Sequence, residues 1–317
     1  METKIELLDK YKGCFIGLAC GDYLGMPVEF SRGREDVIKY FGKHELRPIE
    51  FLNETAVRKT AGYYTDDTCM AMCLAESLHE NDFDIKDQFR RYKKWLFEGY
   101  NTPFGDKSYG VGNHTFKMLT SLNEDDLPTE LDHHEMHGGN GALMKCAPIG
   151  LYYFDDIALL KDNSIKSAII THNNSDAAWS CVVLNSFIAY ALLGHKKENF
   201  AGLYLQHHQQ TPDKIKDLLL KDYISMPDRE NLNNSGFTLH TLQIALYSFL
   251  RSNNFVEAVT EAIFMGGDAD TQGAVVGSLA GAYYGHNDIP TDWISQLLNK
   301  EYIEQMAINL YNKKVSS

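Results

Sequence analysis

The sequence predicts an all-α protein that folds as one domain over residues 1–317. Apolar residues recur at helical spacing along most of the chain, whereas the alternating patterns typical of strands are scarce and short. No linker rich in Pro, Gly or Ser divides the chain, and its length fits one large domain. Hydrophobic residues make up 44% and charged residues 23%, which is typical of a globular protein with a sizeable core.

Four segments show the helical period most clearly. They are residues 67–80, 174–193, 237–250 and 255–265. The last of these runs into Gly266-Gly267, and glycine is a common stop signal for a helix. We therefore expect helices over all four segments.

Two further segments place a glycine at every fourth position. They contain Gly13, Gly17, Gly21 and Gly25 in the first, and Gly273, Gly277, Gly281 and Gly285 in the second. A glycine inside a helix costs about 0.5–1 kcal/mol relative to alanine, so the repeats require a compensating contact. Close helix packing and close approach of a ligand both fit. If the two stripes pack together, the polar residues at their ends meet.

The charge balance argues against one class of partner. The chain has 43 acidic and 30 basic residues, a formal net charge of −13, so sequence-independent binding to a nucleic-acid backbone is not expected. No segment reaches the ~20 apolar residues of a membrane-spanning helix, and the N-terminus lacks the pattern of a secretory signal. Six cysteines in largely apolar surroundings favour reduced, buried thiols and a cytoplasmic location.

Two acidic clusters lie at predicted helix starts: Thr65-Asp66-Asp67-Thr68, and Gly267-Asp268-Ala269-Asp270-Thr271. Such residues cap helices by accepting hydrogen bonds from free N–H groups. One cap needs one such side chain, so the surplus also fits a site for Mg²⁺, Mn²⁺ or Ca²⁺, which prefer oxygen ligands. Four carboxylates suit two divalent ions, and both interpretations remain open.

Other polar residues are individually weaker signals. Glu29 follows the first glycine stripe, and the glycine-rich loop 138–142 lacks the Lys-Ser/Thr of a phosphate-binding loop. His172 precedes a predicted helix and fits either a cap or a substrate contact. Three more histidines have partly zinc-like spacing, but the neighbouring glycines favour a loop there: His133, His134 and His137.

Taken in order, motifs along nearly the whole chain resemble the ADP-ribosylglycohydrolase family. The resemblance is greatest to the bacterial branch that removes ADP-ribose from dinitrogenase reductase. The motifs are Gly17–Gly25 with Val28-Glu29-Phe30, Tyr64–Thr68, Gly110–Thr115, Gly139–Met144 and Gly266–Thr271. The two acidic motifs in this order are the most specific part of the match.

The resemblance implies a compact all-α fold with two divalent cations, Mg²⁺ or Mn²⁺, and assigns roles to residues. The residues matching the metal ligands are Thr65, Asp66 and Asp67 in one half and Asp268, Asp270 and Thr271 in the other. Glu29 matches the acidic residue beside the metals and is the predicted catalytic acid/base. Predicted substrate contacts are Gly110, Gly112, Asn113, Gly139, Asn140, Gly141 and His172.

The expected reaction is hydrolysis of the glycosidic bond between ADP-ribose and a modified target, such as an arginine side chain. The substrate is an ADP-ribosylated protein or an ADP-ribosyl small molecule, the product is ADP-ribose, and the enzyme is expected to be a monomer. The alternative is a non-catalytic member that binds ADP-ribose or serves structurally, like the crystallin-like members. A two-metal phosphoesterase fits less well because neither acidic cluster contains histidine.

One position departs from the pattern of the arginine-specific bacterial members. Where those members usually have Asp-Ile-Gly, this chain has Gly110-Val111-Gly112. Asp106, four residues earlier, could replace the missing carboxylate if the loop follows a different path. The departure concerns substrate preference and leaves the predicted metal ligands unchanged.

Overall fold

The computed structural model describes residues 4–52, 58–59, 61–105, 107–132, 138–226 and 232–316. Asp106 and the three histidines His133, His134 and His137 lie outside the described residues. The helices are Lys4–Gly25 (α1), Arg34–Phe41 (α2), Asp66–Asn81 (α3), Ile85–Glu98 (α4), Asn113–Ser121 (α5), Ala147–Tyr152 (α6), Ile157–Ile169 (α7), Ser175–Leu192 (α8), Phe200–His207 (α9), Asp213–Leu219 (α10), Thr238–Arg251 (α11), Phe255–Ile263 (α12), Ala269–Tyr284 (α13), Thr291–Gln296 (α14) and Lys300–Ser316 (α15).

Helices dominate the fold, as the sequence predicts. The four segments with helical apolar period correspond to α3, α8, α11 and α12, with ends that differ from the predicted ones by at most two residues. The described part of the chain also contains one minimal antiparallel ladder, Phe51–Leu52 (β1) with Arg58–Lys59 (β2). In this ladder Phe51 pairs with Lys59 and Leu52 with Arg58. It is too small to alter the all-α class.

Three helices lie at the centre of the core. Residues 176–192 of α8 and 269–282 of α13 are buried, and α1 is buried continuously from Gly13 to its end. The described buried hydrophobic residues join into one cluster that spans most of the chain. A helix that is buried on all sides is apolar all round, which explains why these helices show little amphipathic pattern.

The two glycine stripes pack against each other as antiparallel helices. A Cβ built on Gly277 would lie 2.0 Å from the carbonyl oxygen of Gly17, and one built on Gly21 would lie 1.9 Å from that of Gly273. Gly13 meets Gly281 in the same way. Glycine is therefore required at these six positions because the helix backbones approach too closely for any side chain.

This antiparallel contact places the end of α1 beside the start of α13. A Cβ on Gly25 would lie 2.3 Å from the carbonyl oxygen of Ala269. Beyond α1 the chain turns and is held there by paired hydrogen bonds: the N–H of Phe30 donates to Gly267 O at 2.6 Å, and the N–H of Gly267 donates to Ser31 O at 2.8 Å. The predicted meeting of the polar ends is confirmed.

The cysteines and the membrane prediction agree with the described structure. All six cysteines are buried and free of disulfide bonds. None of the helices in the described ranges combines the length and apolar character needed to span a bilayer.

The contact between the glycine stripes leads to a stability prediction. We expect Gly277→Ala to lower the free energy of unfolding by about 3 kcal/mol, because the new methyl group must push two helix backbones apart. Gly202→Ala is the matched control: Gly202 is an exposed glycine in α9 whose Cβ would meet nothing within 4 Å. That change should be neutral or raise stability by about 0.5 kcal/mol.

Urea denaturation followed by circular dichroism measures both variants. Equal stability of Gly277→Ala and the wild type would show that the two backbones are not in close contact.

Candidate functional site

A cavity of about 600 Å³ opens where α1, α3 and α13 meet. It collects the predicted site residues from distant parts of the chain. Its lining includes five of the predicted acidic and hydroxyl residues, Glu29, Asp66, Asp268, Asp270 and Thr271, and all seven predicted substrate contacts, Gly110, Gly112, Asn113, Gly139, Asn140, Gly141 and His172. Thr65 and Asp67 do not line the cavity but lie buried at the same helix start as Asp66.

The second acidic cluster converges with Glu29. Glu29, Asp268 and Asp270 each present a carboxylate oxygen, and these three oxygens lie within 4.8 Å of one another. Asp268 Oδ2 also accepts a hydrogen bond of 2.6 Å from Asn140 Nδ2, which in addition donates to Thr241 Oγ1. The side chain of Asn140 therefore orients a carboxylate, a role that the sequence did not predict, while its contact with substrate stays a prediction.

Asp22 organises the first cluster, and the sequence patterns did not predict this role. Its side chain is completely buried and accepts hydrogen bonds from both the backbone N–H and the hydroxyl of Thr65 and of Thr68. Burial raises the pKa of Asp22 to about 6, although the four donors oppose the shift. A charged residue within the apolar glycine stripe was the one sequence signal that could have identified it.

Helix capping does not account for the two acidic clusters. Thr65 and Asp268 are the N-cap residues of α3 and α13, and neither side chain accepts a capping hydrogen bond. At α3 it is Asp22 that accepts the first-turn N–H of Thr68, at 3.0 Å. Asp67 Oδ2 accepts the hydroxyl of Thr65 at 3.0 Å, and the capping of α3 does not explain why two further carboxylates, Asp66 and Asp67, are buried there.

The electrostatics of the clusters fit bound cations. Burial raises the pKa values of Asp66, Asp67 and Asp270 well above the usual range, and repulsion from neighbouring carboxylates adds to the effect. Asp67 Oδ1 is buried and accepts no hydrogen bond within the described part of the chain. The cavity lining formed by described residues contains no lysine or arginine. Hard divalent cations match this all-oxygen donor set and would supply the missing charge.

The departure at Gly110 is built into the local backbone. Gly110 has φ +85°, in the left-handed region that favours glycine, and a Cβ there would lie 2.5 Å from Asp66 Oδ1. By contrast, a Cβ on Gly112 would meet open space. Any side chain at position 110 would thus disturb Asp66.

The glycine-rich loop of the cavity lining packs on His172. A Cβ on Gly139 would lie 3.2 Å from His172 Nε2, and one on Gly141 would lie 2.6 Å from His172 Cε1. The ring also makes an edge contact with His114 at a centroid distance of 4.9 Å. A side chain at position 141 would therefore displace the imidazole, whereas one at position 139 would require only a small shift of the ring.

Comparison with known proteins agrees with this architecture. The family model described as ADP-ribosylglycohydrolase matches residues 3–317. The ADP-ribosylarginine hydrolase Tri1 of Pseudomonas putida (strain GB-1) is 28% identical over 98% of this chain and 80% of its own length. The ADP-ribosyl-[dinitrogen reductase] glycohydrolase of Rhodospirillum rubrum is 30% identical over 91% of this chain and 90% of its own.

A solved structure described as an ADP-ribosylglycohydrolase-related protein complex superposes with a TM-score of 0.78. It is 31% identical to this chain and covers 98% of it, and 99% of that structure's own chain is matched. The matched region includes both acidic motifs and the two glycine-stripe helices, since it spans nearly all residues. On these grounds the chain belongs to the ADP-ribosylglycohydrolase family.

Proposed function

We propose that this protein is a metal-dependent hydrolase that cleaves the glycosidic bond between ADP-ribose and a modified target and releases ADP-ribose. The observation that supports the proposal most directly is the convergence of Glu29 and two acidic clusters on one cavity, in a chain of this family. An arginine side chain is the proposed attachment point, since one relative is named an ADP-ribosylarginine hydrolase.

Two divalent cations, Mg²⁺ or Mn²⁺, are the proposed cofactors. Thr65, Asp66 and Asp67 would hold them from α3, and Asp268, Asp270 and Thr271 would hold them from the start of α13. Bound at these oxygens, the cations would supply positive charge that polarises the ribose hydroxyls and favours ionisation of water. The buried, mutually repelling carboxylates support this proposal.

The residues of the chain supply proton transfer and orientation. Hydrolysis breaks the bond between the anomeric carbon and the leaving nitrogen or oxygen, and it forms a bond from that carbon to a water oxygen. Glu29 would take a proton from the water or deliver one to the leaving atom. Backbone N–H groups of the loops around Gly112 and Gly139 would donate hydrogen bonds to the diphosphate, which lets an acidic protein bind an anionic ligand.

Several broader predictions belong with this proposal. We propose that the protein is a cytoplasmic monomer that acts as one domain over residues 1–317; the single connected core supports the last point.

The competing function is that of a non-catalytic ADP-ribose-binding or crystallin-like member of the fold. An intact set of acidic side chains favours the enzyme, because a structural protein gains no stability from buried like charges.

A substrate panel tests the proposed reaction. ADP-ribosyl-arginine, ADP-ribosyl-serine and poly-ADP-ribose are incubated with the protein and Mg²⁺, Mn²⁺ or EDTA, and released ADP-ribose is measured. We expect release from ADP-ribosyl-arginine with metal, none with EDTA, and none from Asp270→Asn, which removes a carboxylate of the cluster. Metal binding without turnover of any substrate would support the non-catalytic function. Undiminished turnover in EDTA would contradict the metal-dependent one.

Replacing the proposed acid/base tests its role separately. Glu29→Gln keeps the shape of the side chain but cannot transfer the proton, so kcat should fall by about 10²–10⁴-fold. Mn²⁺ affinity, measured by calorimetry, should fall less than in Asp270→Asn. Glu35→Gln, an exposed position in the first turn of α2, is the control and should leave kcat unchanged. Near-wild-type turnover of Glu29→Gln would exclude the role.

Position 110 tests the departure from the arginine-specific members. Gly110→Asp should weaken Mn²⁺ binding about tenfold, because a left-handed backbone and contact with Asp66 together cost about 1–3 kcal/mol. Gly112→Ala, where a Cβ meets open space, should retain wild-type Mn²⁺ affinity. Unchanged affinity together with faster hydrolysis of ADP-ribosyl-arginine in Gly110→Asp would contradict this interpretation.

A further inference from the structure

A buried lysine lies behind the glycine-rich wall of the cavity. Lys145 is 1% exposed and follows the 3₁₀ turn Asn140–Ala142. Its Nζ donates to Gly141 O at 2.6 Å and to Thr171 Oγ1 at 2.8 Å, and it lies 5.6 Å from the centre of the Tyr92 ring. Burial lowers its pKa to about 8, so the ammonium is still mostly protonated at neutral pH. A buried cation of this kind is expensive unless its donors are used.

The hydrogen-bond chain continues from Thr171 to the cavity wall. Thr171 is completely buried, and its Oγ1 lies 3.1 Å from His172 Nδ1. Lys145 can only donate, so Oγ1 must accept from it. Within the described structure, His172 Nδ1 is then the acceptor available for the single hydroxyl proton.

The alternative proton arrangement is costly. If Nδ1 carried a proton and donated it to Oγ1, the hydroxyl proton of Thr171 would be buried without an acceptor among the described residues. An unsatisfied buried donor costs about 1–3 kcal/mol. The hydrogen bonds from Lys145 to Thr171 and from Thr171 to His172 therefore favour a neutral imidazole with an unprotonated Nδ1 and a protonated Nε2.

The proton on Nε2 lies at the ring edge that packs against the glycine-rich loop. His172 lines the cavity, and Nε2 and Cε1 form the edge packed on Gly139 and Gly141. Lys145 holds this arrangement from both sides, because it binds the carbonyl of Gly141 in the loop and, through Thr171, the imidazole. One buried ammonium thus fixes both the loop and the histidine.

We propose that Lys145 and Thr171 are positioning residues that hold His172 as the Nε2–H tautomer, so that the cavity wall presents a neutral donor to an acceptor oxygen of the ligand. The proposal rests on the proposed function only for the identity of that ligand, ADP-ribose. The tautomer itself is a property of the free protein.

The tautomer is measured first, without ligand. Protein labelled with ¹⁵N-histidine is examined by long-range ¹H–¹⁵N correlation at a pH where the ring is neutral, and His172→Gln assigns the signals. We expect the pattern of an unprotonated Nδ1 and a protonated Nε2 for His172 in the wild type and in Thr171→Ser. In Thr171→Val, which lacks the hydroxyl, this preference should be lost. A protonated Nδ1 in the wild type would overturn the proposal.

Ligand binding is measured next, by calorimetry with ADP-ribose. Thr171→Val should weaken the affinity about tenfold, as expected for loss of one oriented hydrogen bond, whereas Thr171→Ser should restore it. In turnover assays the change should appear in KM more than in kcat. Thr211→Val, another buried threonine beside a histidine but outside the cavity lining, is the matched control and should change neither the tautomer nor the affinity.

The two proposals fail in different ways. A wild-type protein that does not bind ADP-ribose contradicts the proposed function, while the tautomer in the free protein still decides the role of Thr171. Lys145→Met provides a second test, because without the ammonium the hydroxyl of Thr171 can turn away from Nδ1. An unaltered tautomer and affinity in both Thr171→Val and Lys145→Met would overturn the positioning role.

Discussion

The close contact between α1 and α13 is the constraint on which the site depends. Because the two backbones touch along their glycines, the helices have little freedom to slide or rotate against each other. The end of α1 is thereby fixed beside the start of α13, and Glu29 reaches Asp268 and Asp270. The same helix carries Asp22, which holds the start of α3 through four hydrogen bonds. One helix thus positions both halves of the acidic centre.

Positioning of this kind has an electrostatic cost. Burying several carboxylates together disfavours their charged forms, both through lost hydration and through mutual repulsion. The net charge of −13 is in part distributed over the surface, but these few acids are concentrated where water is scarce. The rigid helix contact offsets the cost, since the glycine stripes and the surrounding core hold the carboxylates at close range. The cations proposed for this site would offset part of that cost, so their removal should lower the stability of the fold.

The sequence predicted what depends on local pattern and missed what depends on long-range contacts. Helical period identified α3, α8, α11 and α12, and runs of oxygen-bearing side chains identified both acidic clusters. Asp22 was not predicted because its partners Thr65 and Thr68 are more than 40 residues away, and its one local signal, a charge within an apolar glycine stripe, does not identify them. Lys145 was missed for the same reason, since nothing near it in the sequence shows that it lies beneath a loop. The motif alone also could not show that Asn140 binds a carboxylate.

The cavity lining has an acidic part and a glycine-rich part, and the two parts differ in charge. The acidic wall, with Glu29, Asp66, Asp268 and Asp270, would repel a diphosphate unless cations intervene. The glycine-rich part of the lining has backbone N–H groups and the imidazole of His172, for which we propose the neutral tautomer, so it can donate hydrogen bonds without bringing a lysine or arginine into the cavity lining formed by described residues. The ammonium of Lys145 stays buried behind that wall, and there it orders the donors without pairing with the carboxylates. Because no lysine or arginine of the described residues lines the cavity, its negative charge is not neutralised there by a basic side chain, and this is the charge that the proposed cations would balance.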